Sequence, residues 1–124
     1  MPEFIEMDEQ VTLFAQLEEQ GGPVLLINPF TVKPEEVNPF LHTWAADAHL
    51  MKRQPGFIST QLHRGSAGSC VFVNSAIWES TAQFKQAFTH PEFQAMLAKY
   101  PSNTKASPHS SERWRCLESV WLVN

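Results

Sequence analysis

Residues 57–78 read FISTQLHRGSAGSCVFVNSAIW. Two runs rich in aromatic and β-branched residues flank Gly65-Ser66-Ala67-Gly68. That pattern predicts a hairpin, with one strand over Phe57–Arg64, a glycine turn, and a second strand over Ser69–Trp78. Strict alternation places Phe57, Ser59, Gln61 and His63 on one face of the first strand. In the second strand Phe72, Asn74, Ala76 and Trp78 are in phase.

Reading toward the N-terminus, Pro55-Gly56 closes a helical stretch. Val37, Phe40, Leu41, Trp44, Ala48 and Met51 fall at i, i+3, i+4 spacing and form one apolar stripe. Pro34, Glu35 and Glu36 suit the start of this helix, and Lys52 and Arg53 suit its negative end. Before it, Val24–Phe30 is nearly all apolar and predicts a strand covered on both faces. Residues 1–22 form an N-terminal arm. Val11, Phe14, Ala15 and Leu17 predict a short amphipathic helix in it, stopped by Gly21-Gly22.

Reading toward the C-terminus, Ser80 predicts an N-cap for a helix bearing Phe84, Ala87 and Phe88. His90-Pro91 breaks that helix, and Pro91 starts a further segment with Phe93, Met96, Leu97 and Tyr100. A polar loop is expected over 101–111, and a last strand over Glu112–Val123. The order is β-α-β-β-α-β, the ferredoxin-like pattern of a four-stranded antiparallel sheet with helices on one face. The expected division is an arm at 1–22 and one α+β domain at 23–124.

Such a sheet leaves one face bare. With no further chain to cover it, a second copy of the same face predicts a homodimer closed as an α/β barrel. The 124 residues suit one domain, and 43% hydrophobic with 18% charged residues is ordinary globular composition. A net charge of −4 argues against nucleic acid. No apolar run approaches the roughly 20 residues that span a bilayer, and the acidic start does not resemble a signal peptide. The cytoplasm is the expected location. Cys70 and Cys116 have no metal spacing and are expected to be reduced thiols. There is no phosphate-binding glycine loop, nucleophile elbow or carboxylate pair.

Several stretches together resemble the antibiotic biosynthesis monooxygenase family. They are Pro23-Val24-Leu25-Leu26-Ile27-Asn28, Gln54-Pro55-Gly56-Phe57, Phe72-Val73-Asn74 leading to Ile77-Trp78-Glu79-Ser80, and His90-Pro91-Glu92-Phe93. The resemblance spans roughly residues 22–100 and is most specific at Pro55-Gly56-Phe57 and Trp78-Glu79-Ser80. It implies a dimeric α/β barrel. It also implies a cofactor-independent monooxygenase acting with O₂ on a small aromatic, polyketide-like or quinol substrate. The family's haem-degrading branch relies on Asn, Trp and His. Asn28 could match the Asn, but Ala87 and Leu97 stand where the Trp and the axial His are expected. Leucine cannot ligate iron, so haem chemistry is disfavoured. A non-enzymatic barrel binding a small apolar ligand is the other alternative.

Such an oxygenase needs donors for a substrate oxyanion and a group that takes a proton. Asn28 interrupts an apolar strand, and its amide either holds substrate or bonds nearby backbone. Asn74 and Trp78 share a strand face and join Asn28 if that face lies under the helices; Trp78 is otherwise a core anchor. His63 is the candidate base unless its face belongs to the dimer barrel. Trp44, Phe72, Phe84, Phe88 and Arg64 complete the candidate set as substrate-binding residues. His42 and His49 are expected to face solvent, and His90 to cap the helix junction.

Overall fold

The computed structural model describes residues 1–114. Strand β1 is Glu3–Phe4 and helix α1 is Leu13–Leu17. Strand β2 spans Val24–Thr31, and a 3₁₀ turn over Pro34–Glu36 leads into helix α2, Val37–Lys52. The hairpin follows as β3, Phe57–Arg64, and β4, Val71–Trp78. Helices α3, Thr81–Phe88, and α4, Pro91–Leu97, precede the short strands β5, Lys105–Ala106, and β6, His109–Ser111.

The central ladder pairs β2 with β4 antiparallel from Val24↔Trp78 to Thr31↔Val71, and β3 lies on the far side of β4. Alternation then sorts the side chains. Val24, Leu26 and Phe30 of β2 and Phe72, Ala76 and Trp78 of β4 are buried on one side of the sheet. Helix α2 packs on β3 and α4, and α3 packs on β4. Phe40, on the α2 stripe, is wholly buried, with Phe30 and Phe72 each 5.0 Å from it ring to ring. Burying one such aromatic stabilises the fold by about 2–3 kcal/mol.

The caps follow from side chains that accept orphan N–H groups. Ser80 Oγ accepts from the Gln83 amide, and His90 Nδ1 accepts from the Glu92 amide, so His90 caps α4. His42 and His49 are exposed.

Three features depart from the sequence reading. First, a bulge between Phe57 and Ser59 shifts the phase of β3. Phe57 opposes Trp78, whereas Ser59, Gln61 and His63 oppose Ile77, Ser75 and Val73. Phe57 therefore turns to the helix side, and the other three face away. Second, the free edge of β2 is taken by β5 and β6, inside the stretch expected to be a loop. Ala106 pairs with Phe30, and His109–Ser111 pair with Ile27–Leu25. Pro108, which has no N–H to donate, sits between the two pieces and splits the edge strand. The expected last strand over Glu112–Val123 lies mostly outside the described residues, and 112–114 form no strand. Third, the sheet is mixed, because β1 runs parallel to β5.

The arm is bound to the domain at both ends. The Glu3 and Ile5 amides donate to the Thr104 and Ala106 carbonyls, at 2.8 Å each. In α1 the buried residues are Leu13 and Leu17, while Val11 and Phe14 are exposed. The apolar face is thus rotated from the one expected. The Gln16 side-chain amide bonds both the N–H and the C=O of Ser110, at 2.8 Å each, as a neighbouring strand would.

Candidate functional site

Asn28 and Asn74 are register partners across β2 and β4. They lie in phase with the buried residues, on the helix-covered side. Opposed pairs on one face of an antiparallel ladder have Cβ atoms about 5 Å apart, so the two amides are neighbours. On either side of this row the core is closed, with Phe30 and Phe72 at one end and Leu26, Ala76 and Trp78 at the other. At the row it opens. Asn28, Asn74 and the adjacent Thr60 and Leu62 of β3 are all half-buried, as are Leu41, Trp44 and Ala48 on α2.

Each amide has its oxygen occupied. Asn28 Oδ1 accepts from the Ser107 amide at 3.0 Å. That N–H lies at the break between β5 and β6 and also donates to the Pro29 carbonyl at 3.1 Å. Asn74 Oδ1 accepts from Thr60 Oγ1 at 2.5 Å. Neither Nδ2 has a hydrogen-bond partner among the described residues. The two half-buried Nδ2 groups are therefore the row's unused hydrogen-bond donors.

Trp78 is 1% exposed, edge-on to Phe57 at 5.4 Å and tilted against Phe84 at 5.7 Å. It is a core anchor behind the row. Phe72, Phe84 and Phe88 are also fully in the core. Phe84 and Phe88 pack with Phe4, Phe14 and Phe93 in one aromatic cluster. Arg64 is spent on structure: its guanidinium lies over the Phe72 ring at 5.2 Å, and Nε donates to the Ser69 carbonyl at 2.7 Å. His63 sits on the opposite face of the sheet, exposed, through the β3 bulge. Of the residues selected from sequence, the structure brings together Asn28 and Asn74, with Trp78 buried on the same face of β4 and Trp44 half-buried against the core on α2. It does not bring in His63.

Two groups were missed. Thr60 contacts Asn74 through its hydroxyl, as above. Asp47 lies three residues beyond Trp44, where the apolar stripe of α2 continues. Its Oδ2 accepts from the Tyr100 hydroxyl at 2.6 Å, while Oδ1 is buried with no partner. Burial outweighs the Tyr100 bond and raises this carboxyl to a pKa of about 6. Burial and the neighbouring Asp47 charge push the Tyr100 hydroxyl upward. A carboxylate inside an apolar stripe was the available signal.

Among the described residues no three His, Cys, Asp or Glu side chains converge as metal ligands. Ala87 and Leu97 are buried in the core, and the Nδ1 of nearby His90 is occupied as a cap. Cys70 is a free, half-buried thiol; Cys116 lies outside the described residues. A separate cleft of about 700 Å³ lies between the arm and β6, lined by Gln16, Gly22, Thr81, Ser110 and Glu112 among others. None of the residues selected from sequence lines it.

The profile of the antibiotic biosynthesis monooxygenase family matches residues 23–99, more than half of the chain. The chain belongs to this family. The match begins at the turn before β2 and ends after α4, so it contains both asparagines. Solved structures agree with it. SnoaB, a cofactor-independent oxygenase from Streptomyces nogalater, is 25% identical with a TM-score of 0.69. That alignment covers 78% of this chain and 98% of SnoaB. A candidate monooxygenase from Shewanella loihica PV-4 is 34% identical with a TM-score of 0.60, over 77% of this chain and 97% of that one. A Caulobacter crescentus CB15 structure assigned to antibiotic biosynthesis monooxygenases has a TM-score of 0.62 over 74% and 92% of the two chains. At 18% identity it speaks to the fold alone. No curated protein matches the chain. Members of the monooxygenase family thus share this α+β architecture, and no described helix is long and apolar enough to cross a membrane.

Proposed function

We propose that this chain is a cofactor-independent monooxygenase that uses O₂ on a small aromatic, polyketide-like or quinol substrate. The observation that carries the reading is the Asn28–Asn74 row, which presents unpartnered amide donors where the core opens beneath α2. Family membership and the likeness to SnoaB add to it.

In this reading a substrate phenol or enol loses its proton as it binds. The Asn28 and Asn74 Nδ2 groups hold the resulting oxyanion, and Trp44 walls the aromatic body of the substrate. Such donors act strongly where water is scarce. The anion is electron-rich enough to pass an electron to O₂. For an anthrone-type methylene, two C–H bonds break, one oxygen atom enters as the new carbonyl, and the other leaves as water. The electrons come from the substrate itself, so the equation balances without an outside reductant. Asp47 is the proposed proton acceptor. It extends the stripe that holds Trp44, it has a free buried oxygen, and a pKa of about 6 leaves it mostly ionised at neutral pH.

The outer face of the sheet supports a homodimer. Leu25 and Ile77, register partners on that face, are each 37% exposed, and Val71 and Ile58 are more so. A second copy set against this face would bury them and place His63 at the rim of the barrel.

A second reading is a binding protein without turnover. It is favoured by the placement of His63 away from the row and of Phe72, Phe84 and Phe88 in the core. Metal-depleted protein incubated with hydroquinones and anthrones under isotopically heavy O₂ separates the two. One heavy oxygen atom in the product supports the monooxygenase. Binding without heavy-atom incorporation across the panel supports the second reading.

A further inference from the structure

We infer that Thr60 is a positioning residue that fixes the polarity of the amide row, making it donor-only and selective for an ionised oxygen. The inference rests on the oxyanion-binding part of the reading above. An asparagine amide offers both an acceptor and two N–H donors, and which end meets a ligand depends on what holds the other end. At Asn28 the answer is set by the backbone. The Ser107 N–H can only donate, so the Asn28 oxygen must face it, and the NH₂ points elsewhere.

At Asn74 the same task falls to a side chain. Thr60 opposes Ala76 in the β3–β4 register, which makes it a diagonal neighbour of Asn74 on the same face. Its hydroxyl donates to Asn74 Oδ1 and bonds no other described residue. A hydroxyl can also accept, so it is this donating arrangement that turns Nδ2 away from Thr60. β-Branching limits Thr60 to few rotamers, so the hydroxyl is held there at little entropic cost. With both oxygens turned to these partners, the row is left with its two NH₂ ends, up to four N–H bonds, for a ligand. A phenolate or enolate accepts them with the added strength of its charge. A neutral phenol would find no acceptor for its O–H in the row itself, which is penalised in a half-buried space. Without the Thr60 hydroxyl, the Asn74 amide can rotate its oxygen toward the ligand, and the preference for the ion fades.

4-Nitrophenol tests this directly, because its ionised form is coloured and its neutral form is not. 4-Nitroanisole has the same body without an ionisable O–H and serves as the control. The full-length protein should hold 4-nitrophenol as the phenolate and lower the pKa of the bound dye by about one unit. Thr60→Val should weaken phenolate binding about tenfold and remove most of that shift, while 4-nitroanisole binds as before. Thr60→Ser, which restores a hydroxyl, should restore both. The inference is overturned if Thr60→Val keeps the shift, if both probes weaken together, or if the wild-type protein binds the dye without ionising it. A dye ionised by wild type and released by Thr60→Val, in a protein that consumes no O₂ on any substrate, supports the donor-only row and removes the oxygenase reading alone.

Discussion

Asn28 and Asn74 oppose each other across β2 and β4, on the side of the sheet that the helices cover, and each has its amide oxygen tied down by a different part of the chain. The Ser107 amide at the edge-strand break holds one, and the Thr60 hydroxyl on β3 holds the other. Two polar residues on the otherwise apolar, helix-covered face of this ladder are costly unless satisfied. Here each is half satisfied: its oxygen has a partner, and its Nδ2 has none among the described residues.

Asn28→Ala should cost about 1 kcal/mol of stability by urea denaturation. The loss is limited because the Ser107 N–H keeps its second acceptor, the Pro29 carbonyl, at 3.1 Å. A loss of several kcal/mol would mean that Asn28 serves mainly to hold the edge strand.

Asp47 should give opposite signs in stability and in rate. Its folded pKa is raised from 3.8 to about 6, so between those values the folded protein binds more protons than the unfolded chain. Its contribution to stability is therefore greatest below about pH 4 and declines as pH rises to about 6. Asp47→Asn should gain on wild type through that window by about 2 kcal/mol, in denaturation series from pH 4 to 7. If Asp47 accepts the substrate proton, oxygen uptake by wild type should instead rise over the same window, and Asp47→Asn should lose that rise.

His63→Ala should change oxygen uptake less than twofold, because His63 is exposed on the face away from the row. A large loss would relocate the chemistry to the outer face or to a partner-built rim.

Ile77→Lys should convert a dimer to a monomer by sedimentation velocity, with little effect on the monomer's own stability. The residue is already 37% exposed, so a charge there is tolerated in one copy and rejected between two. Wild-type protein that sediments as a monomer would leave the outer face to another partner.

The hairpin, α2 and β2 were legible because each carries a strong period: alternation in the strands, and an apolar stripe from Val37 to Met51 in the helix. The in-phase set Phe72, Asn74, Ala76 and Trp78 was legible for the same reason, and it is the helix-covered face. The β3 bulge was not, since one extra residue at Ile58 leaves no mark on composition yet sends His63 to the other side. The edge strand was hidden because its two pieces are short and polar, and they gain stability from β2 rather than from their own residues. Thr60 was invisible as a site residue because its partner, Asn74, lies 14 residues away in sequence; Asp47 left a mark as a carboxylate in the stripe, but its partner, Tyr100, lies 53 residues away. Trp78 kept both of its sequence readings until burial placed it in the core.

The most direct test is the initial rate of O₂ consumption by metal-depleted Asn74→Ala, compared with wild type, on whichever hydroquinone or anthrone the wild type turns over. The row of amide donors predicts a loss of about a hundredfold with the fold intact by circular dichroism. A folded Asn74→Ala protein that consumes O₂ at the wild-type rate would contradict the account.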